Sequence, residues 1–195
     1  GALTQDAAAV DDGVRTAYDG VTFDSDVVLV YSEIDRWLHQ SVADGTYGTP
    51  GGPTSTFDYY PTLFLINGES YANAAATPAV PAGEPGEPIL LRFLNAGLRT
   101  HAPVLDNGSL SLVAEDGNKY PFARPQAAIL LAAGKTHDAL WTPATAGLYT
   151  VYDRTLSLNA PGAGEAGMLA KLSVSAAPPA SGPAPAVPLR PGNAW

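Results

Sequence analysis

Three histidines, nineteen carboxylates and no cysteine set the limits on what chemistry this chain can do. The histidines are His39, His101 and His137. No two of them follow the short spacings that place two imidazoles on one metal ion. His39 lies in WLHQ, a short predicted helix, with no second ligand one turn on. His137 lies in GKTHDALW, where strand alternation sets it on the face of Ala139. The absence of cysteine removes disulfides, thiolate nucleophiles, zinc ribbons, iron–sulfur clusters and thiolate-ligated copper together. His101 opens the stretch HAPVLDNG and is a candidate for a metal ligand. A structural role is the reading that the residues favour for it.

The carboxylates and hydroxyls add little more. Glu33 and Asp35 share one face of a strand end, where a hard cation such as calcium would need six or more oxygen ligands. No loop supplies the others. Glu115-Asp116-Gly117 reads as the close of a hairpin, with Asp116 stabilising its own turn. Ser32 and Ser109 sit in no nucleophile elbow. Gly134-Lys135-Thr136 ends like a phosphate-binding loop but lacks the earlier glycine and leads into a strand. Asn107-Gly108-Ser109 has the form of a glycosylation site, yet Asn-Gly is also what a tight turn requires. No catalytic residue, no cofactor-binding residue and no metal site is assigned.

The elements that must position these groups are short strands. Twenty glycines and eighteen prolines in 195 residues leave little room for long helices. DVVLVYSEID (26–35) is the first clear strand, and RWLHQSVADG (36–45) makes about two helical turns stopped at Gly45. PTLFLINGESY, PILLRFLNAG, HAPVLDNGSLSLVAEDGNKYPF, QAAILLAAGKTHDALWTP, GLYTVYDRTLSL and GMLAKLSVS supply the other strands. Asn67-Gly68, Asn107-Gly108, Asp116-Gly117 and Gly134 break them. About nine strands at this spacing predict an all-β fold, an antiparallel Greek-key sandwich or barrel with irregular N- and C-terminal extensions. The expected organisation is an extended lead-in over 1–25, a connection with the first strand over 26–57, the main domain over 58–175 and a Pro/Ala-rich linker or tail over 176–195. The formal net charge of −9 argues against nucleic acid and anionic membrane surfaces. No apolar run is long enough to span a membrane, and GALTQDAAAVDD lacks the basic and apolar regions of a signal peptide.

The order of these segments resembles the multicopper oxidases, laccase-like enzymes built from cupredoxin domains. FLINGESY is similar to the opening of a second domain. ILLRFLNAG followed by His101 resembles the strand into a ligand loop. LSLVAEDG, AGKTHDALW, AGLYTVYD and GML continue the pattern, and VVLVYSEIDRWLH resembles an inter-domain connection. Copper-bearing domains of the family carry H-P-x-H-x-H-G, where this chain has His101-Ala102-Pro103-Val104-Leu105-Asp106-Asn107-Gly108. They also carry G-x-W/Y-x-x-H-C-H, where this chain runs from Gly147 through Tyr149 to Tyr152-Asp153-Arg154. His101 holds the first ligand position, Val104 and Asp106 replace later histidines, and Met168 lies near the place of an axial methionine.

The resemblance implies a second or middle cupredoxin-like domain that lacks the copper ligands. Asp153 and Arg154 then point to opposite faces and make polar contacts. Copper is expected in neighbouring domains, which together oxidise a substrate with dioxygen; this chain alone is not expected to be an enzyme. Its partners would be other cupredoxin domains of the same protein or further copies of itself. Its setting would be secreted, periplasmic or cell-surface. Two alternatives stay open. One is an extracellular assembly module, a lattice or filament subunit without redox activity, built through its terminal arms. The other is a divergent metal site of His101, His137 and nearby carboxylates.

Overall fold

The computed structural model describes residues 15–57, 59–71, 78–158 and 167–175. The Pro/Ala-rich tail and most of the lead-in lie outside the described residues. The rest is a β-sandwich. One sheet contains β3 (Ser25–Ile34), β4 (Leu63–Ile66), β6 (Ile89–Asn95), β8 (Leu110–Glu115), β9 (Asn118–Gln126) and β10 (Thr136–Trp141), in the order β4-β3-β6-β10-β8-β9. The other contains β5 (Val80–Gly83), β7 (Pro103–Leu105), β11 (Gly147–Asp153) and β12 (Leu169–Val174), in the order β5-β12-β11-β7. The sheets do not close into a barrel. The expectation of wholly antiparallel pairing fails twice, because β3 runs parallel to β6 and β5 parallel to β12. The non-sequential strand order is the crossover connectivity of a cupredoxin-like fold.

The inward positions of the two sheets meet in one core. Leu29, Tyr31, Ile89, Leu91 and Phe93 face Leu105, Val151 and Leu172, all of them buried. Each such side chain contributes about 1.5–3 kcal/mol by leaving water. β6 reads ILLRFLN, apolar on both sides, because its outer face is covered as well. The cover is a hairpin of β1 (Arg15–Tyr18) and β2 (Val21–Phe23), inside the segment expected to be an extended lead-in. Val21 and Phe23 pack there on Leu90 and Val113. A ladder of charges fastens the same face: Arg92 lies 3.6 Å from Asp26, and the Tyr18 hydroxyl donates to Asp138 at 2.5 Å.

The turns follow the residues that favour them. Asn67-Gly68 and Asp116-Gly117 both take left-handed backbone, which Asn, Asp and Gly adopt at little cost. The side chain of Asp116 also reaches out of its own turn. Its carboxylate accepts the Thr136 N–H at 2.9 Å and pairs with Lys135, tying the β8–β9 hairpin to the start of β10. Helix α1 (Arg36–Ala43) begins where Asp35 caps it, accepting from Trp37 N–H at 2.9 Å and Leu38 N–H at 3.1 Å. It ends at Asp44, with Gly45 in the left-handed region as expected.

Strand register brings three chain segments to one end of the sandwich. β3 and β6 both finish there, with Tyr31 opposite Asn95 and Ile34 opposite Leu63. β11 finishes there too, with Asp153 opposite Pro103 at the start of β7. The candidate site lies at this end.

Candidate functional site

The inward face of β3 runs Val27, Leu29, Tyr31, Glu33, all buried. A carboxylate in that series needs a partner, since an unpaired buried charge costs several kcal/mol. β11 repeats the situation one layer across, where Val151 is followed on the same face by Asp153. His101 stands between the two. It is held by a two-way backbone bridge to Leu131, at 2.9 Å in each direction. Its ring Nδ1 lies 3.0 Å from Asp153 Oδ2 and its Nε2 lies 3.1 Å from Glu33 Oε2. Side-chain exposure is 1% for His101 and 0% for both carboxylates.

With both carboxylates ionised, this geometry favours a charged ring. A neutral imidazole would aim a lone pair at one of the two carboxylates, so the ring donates at both nitrogens as an imidazolium. Burial opposes the charge, but the hydrogen bonds to Asp153 and Glu33 outweigh it and raise the His101 pKa to about 9. Burial likewise pushes the Asp153 carboxyl up. It is overcome by hydrogen bonds from His101, Ser157, Thr155 and the Ala102 N–H, which hold the group well below the ordinary carboxylate range. Glu33 is held down in the same way, by His101 and by the N–H groups of Arg99 and Leu98.

The remaining negative charge is met by donors. Glu33 Oε1 accepts Leu98 N–H at 2.6 Å and Arg99 N–H at 2.8 Å. Asp153 Oδ1 accepts Ala102 N–H at 2.8 Å and Thr155 N–H at 3.1 Å, while its Oδ2 also takes the Thr155 and Ser157 hydroxyls. Gly97 is required beside the triad, because a β-carbon there would overlap the Glu33 carboxylate. Tyr31 packs its ring against His101, with centroids 6.0 Å apart, and its buried hydroxyl has no hydrogen-bond partner.

The other sequence candidates are not drawn in. Asp35 does not share a cation with Glu33; it caps α1 and accepts the Tyr60 N–H at 2.8 Å. His137 lies on β10 and donates from Nε2 to the Leu130 carbonyl at 3.2 Å, apart from the triad. His39 is exposed on α1. Met168 is buried and contributes its backbone carbonyl, which accepts the Asp153 N–H at 3.0 Å. Asp153 is buried at the end of β11, and Arg154, in the turn that follows, is exposed. The pairing of Glu33 and Asp153 with His101 was missed from sequence. The signal for it was a carboxylate at an inward position of two otherwise apolar strands.

Copper does not fit this arrangement. The two carboxylates lie on opposite ring nitrogens, so no position brings all three side chains onto one ion, and no thiolate is present. Among the described residues, no group of three His, Cys, Asp or Glu is placed to hold a metal. Above the triad, a cavity of about 390 Å³ opens to solvent, with His101 at its floor and Tyr60, Arg99, Thr155, Leu156 and Leu158 in its walls.

A sequence model of the multicopper oxidase family, described as "Multicopper oxidase", matches residues 32–172. No curated protein matches the sequence. Among solved structures, the chain is similar to a blue copper oxidase from Nitrosomonas europaea, with a TM-score of 0.59 and 18% identity, covering 76% of this chain and 43% of that one. It is similar to a copper-containing nitrite reductase from Thermus scotoductus, with a TM-score of 0.57 and 19% identity over 82% of this chain and 33% of that one. A laccase from Botrytis aclada gives a TM-score of 0.56 at 20% identity, over 82% and 31% of the two chains. These likenesses establish the fold. The chain spans less than half the length of each of these three structures.

Proposed function

Because the chain belongs to the multicopper oxidase family, we propose that it is a copper-free cupredoxin-like domain of such an oxidase, a middle domain with a structural and inter-domain role. The observation that carries this reading is the Glu33–His101–Asp153 triad. His101 holds the first ligand position of the family's loop and Asp153 the position of its cysteine. A protonated imidazole between two carboxylates satisfies both positions without a metal. The charge that a copper ion would bring is supplied by a proton on the ring. Copper, and the reduction of dioxygen, would belong to neighbouring domains of the same polypeptide, which would work outside the cytoplasm. No helix among the described residues is long and apolar enough to cross a membrane.

The test is metal analysis of the 195-residue chain after copper loading and desalting, by plasma mass spectrometry. Copper well below one equivalent is expected, with no visible thiolate-to-copper band. One tightly held equivalent, lost in His101→Ala, would overturn the reading.

A further inference from the structure

The chain holds two Asn-Gly pairs, Asn67-Gly68 and Asn107-Gly108, and both asparagines lie in turns. Asparagine is a chemically labile residue, and before glycine it can lose its amide without an enzyme. The main-chain nitrogen of the glycine attacks the asparagine Cγ and gives up its proton. A C–N bond forms, and the side-chain nitrogen leaves as ammonia. Water then opens the five-membered succinimide at either carbonyl, giving aspartate or isoaspartate. Glycine assists because no β-carbon shields its nitrogen.

Backbone and exposure do not tell the two sites apart. Asn67 and Asn107 both have φ 54°, and both are exposed. Their side chains differ. The Asn67 Oδ1 accepts the Val30 N–H at 2.7 Å, and its Nδ2 donates to the Val28 carbonyl at 2.9 Å. Both ends of that amide are pinned to β3, so Cγ cannot turn onto Gly68 until two hydrogen bonds break. The Asn107 amide has no hydrogen-bond partner among the described residues. The nitrogen that would attack it is loosely held as well, since the Gly108 N–H reaches the Leu105 carbonyl only at 3.4 Å.

The product would not be silent where it forms. A β-carbon on Gly108 would overlap the Leu105 side chain and lie 3.4 Å from Trp141 Nε1, so the main chain there is seated closely. Isoaspartate adds one methylene to the main chain just before this residue. Either product sets a new carboxylate beside Asp106, at a cavity of about 560 Å³ whose far wall holds Trp141 and Tyr149.

We propose that Asn107 is a site of spontaneous deamidation, which recharges the turn between β7 and β8, and that the fold protects Asn67 from the same reaction.

The test ages the purified 195-residue chain in warm, mildly alkaline buffer, folded and in urea. Peptide mass spectrometry follows the exchange of each amide NH₂ for OH, and an isoaspartyl methyltransferase counts the isoaspartate. In the folded chain Asn107 is expected to convert about thirtyfold faster than Asn67, the weight of the two hydrogen bonds that Asn67 must lose. In urea the two rates are expected to come close together. Equal conversion in the folded chain overturns the proposal, as does an Asn107 that stays intact while the unfolded chain converts both sites. A preference for Asn107 that persists unchanged in urea belongs to the neighbouring residues and overturns the protection by the fold.

Discussion

Replacing His101 by glutamine removes the cation between two buried carboxylates while keeping a side chain of similar length. Taking one partner from a buried ion pair costs about 3–5 kcal/mol. That is a large part of the roughly 5–15 kcal/mol that holds a domain of this kind together. The pH dependence is the sharper test. The ring titrates near 6.5 in an unfolded chain and at about 9 in the folded one. Below pH 6.5 the imidazole is charged in both states and its whole contribution is present. As pH rises towards 9 the unfolded chain releases the proton while the folded chain keeps it, so stability falls, and above 9 the contribution is gone. At about 1.4 kcal/mol for each tenfold change in proton affinity, the loss across this window is about 3 kcal/mol. Urea unfolding followed by tryptophan fluorescence, at about pH 6, 7.5 and 9.5, measures both chains. The gap between wild type and His101→Gln is expected to be about 3–5 kcal/mol at the lowest pH and to shrink by about 3 kcal/mol at the highest. A gap that stays constant with pH would refute the doubly held imidazolium.

Glu33→Gln is expected to cost less than Asp153→Asn in the same unfolding assay, about 1–3 against about 3–5 kcal/mol, because the amide oxygen can still accept from Leu98 and Arg99 while Asp153 serves a wider set of donors. Gly97→Ala is expected to lower stability by about 1–3 kcal/mol, since the new methyl enters the space of the Glu33 carboxylate; an unchanged urea midpoint would mean the loop relaxes freely. Leu156→Gly is expected to raise stability by about 1 kcal/mol, read as a higher melting temperature, because the left-handed backbone there costs glycine nothing.

How far the sequence discloses this molecule depends on the range of the interaction. The turns at Asn67-Gly68 and Asp116-Gly117 were legible, because backbone preference there belongs to the two residues themselves. Helix α1 was legible for the same local reason. β5 was not, since VPAG is short, carries a proline and owes its strand conformation to β12. The parallel pairing of β3 with β6 was equally hidden, because it joins residues more than sixty positions apart. The site follows the same rule. His101 could be singled out by type, but its partners lie 68 and 52 residues away. Glu33 was noticed for the wrong companion: strand alternation does place Asp35 on its face, and only the fold reveals that Asp35 turns to cap a helix.

The placing of β6 governs how the chain can assemble. Its neighbours in the sheet are β3, which precedes it by some sixty residues, and β10, which follows it by some forty. No local hairpin can form at the middle of this sheet, so its centre must wait for long-range loops to close, and folding is slow relative to domains built from adjacent pairs. On the ribosome, the β8–β9 hairpin can form as soon as its own residues emerge. β6 has a partner on each side only once the chain has been made through Trp141.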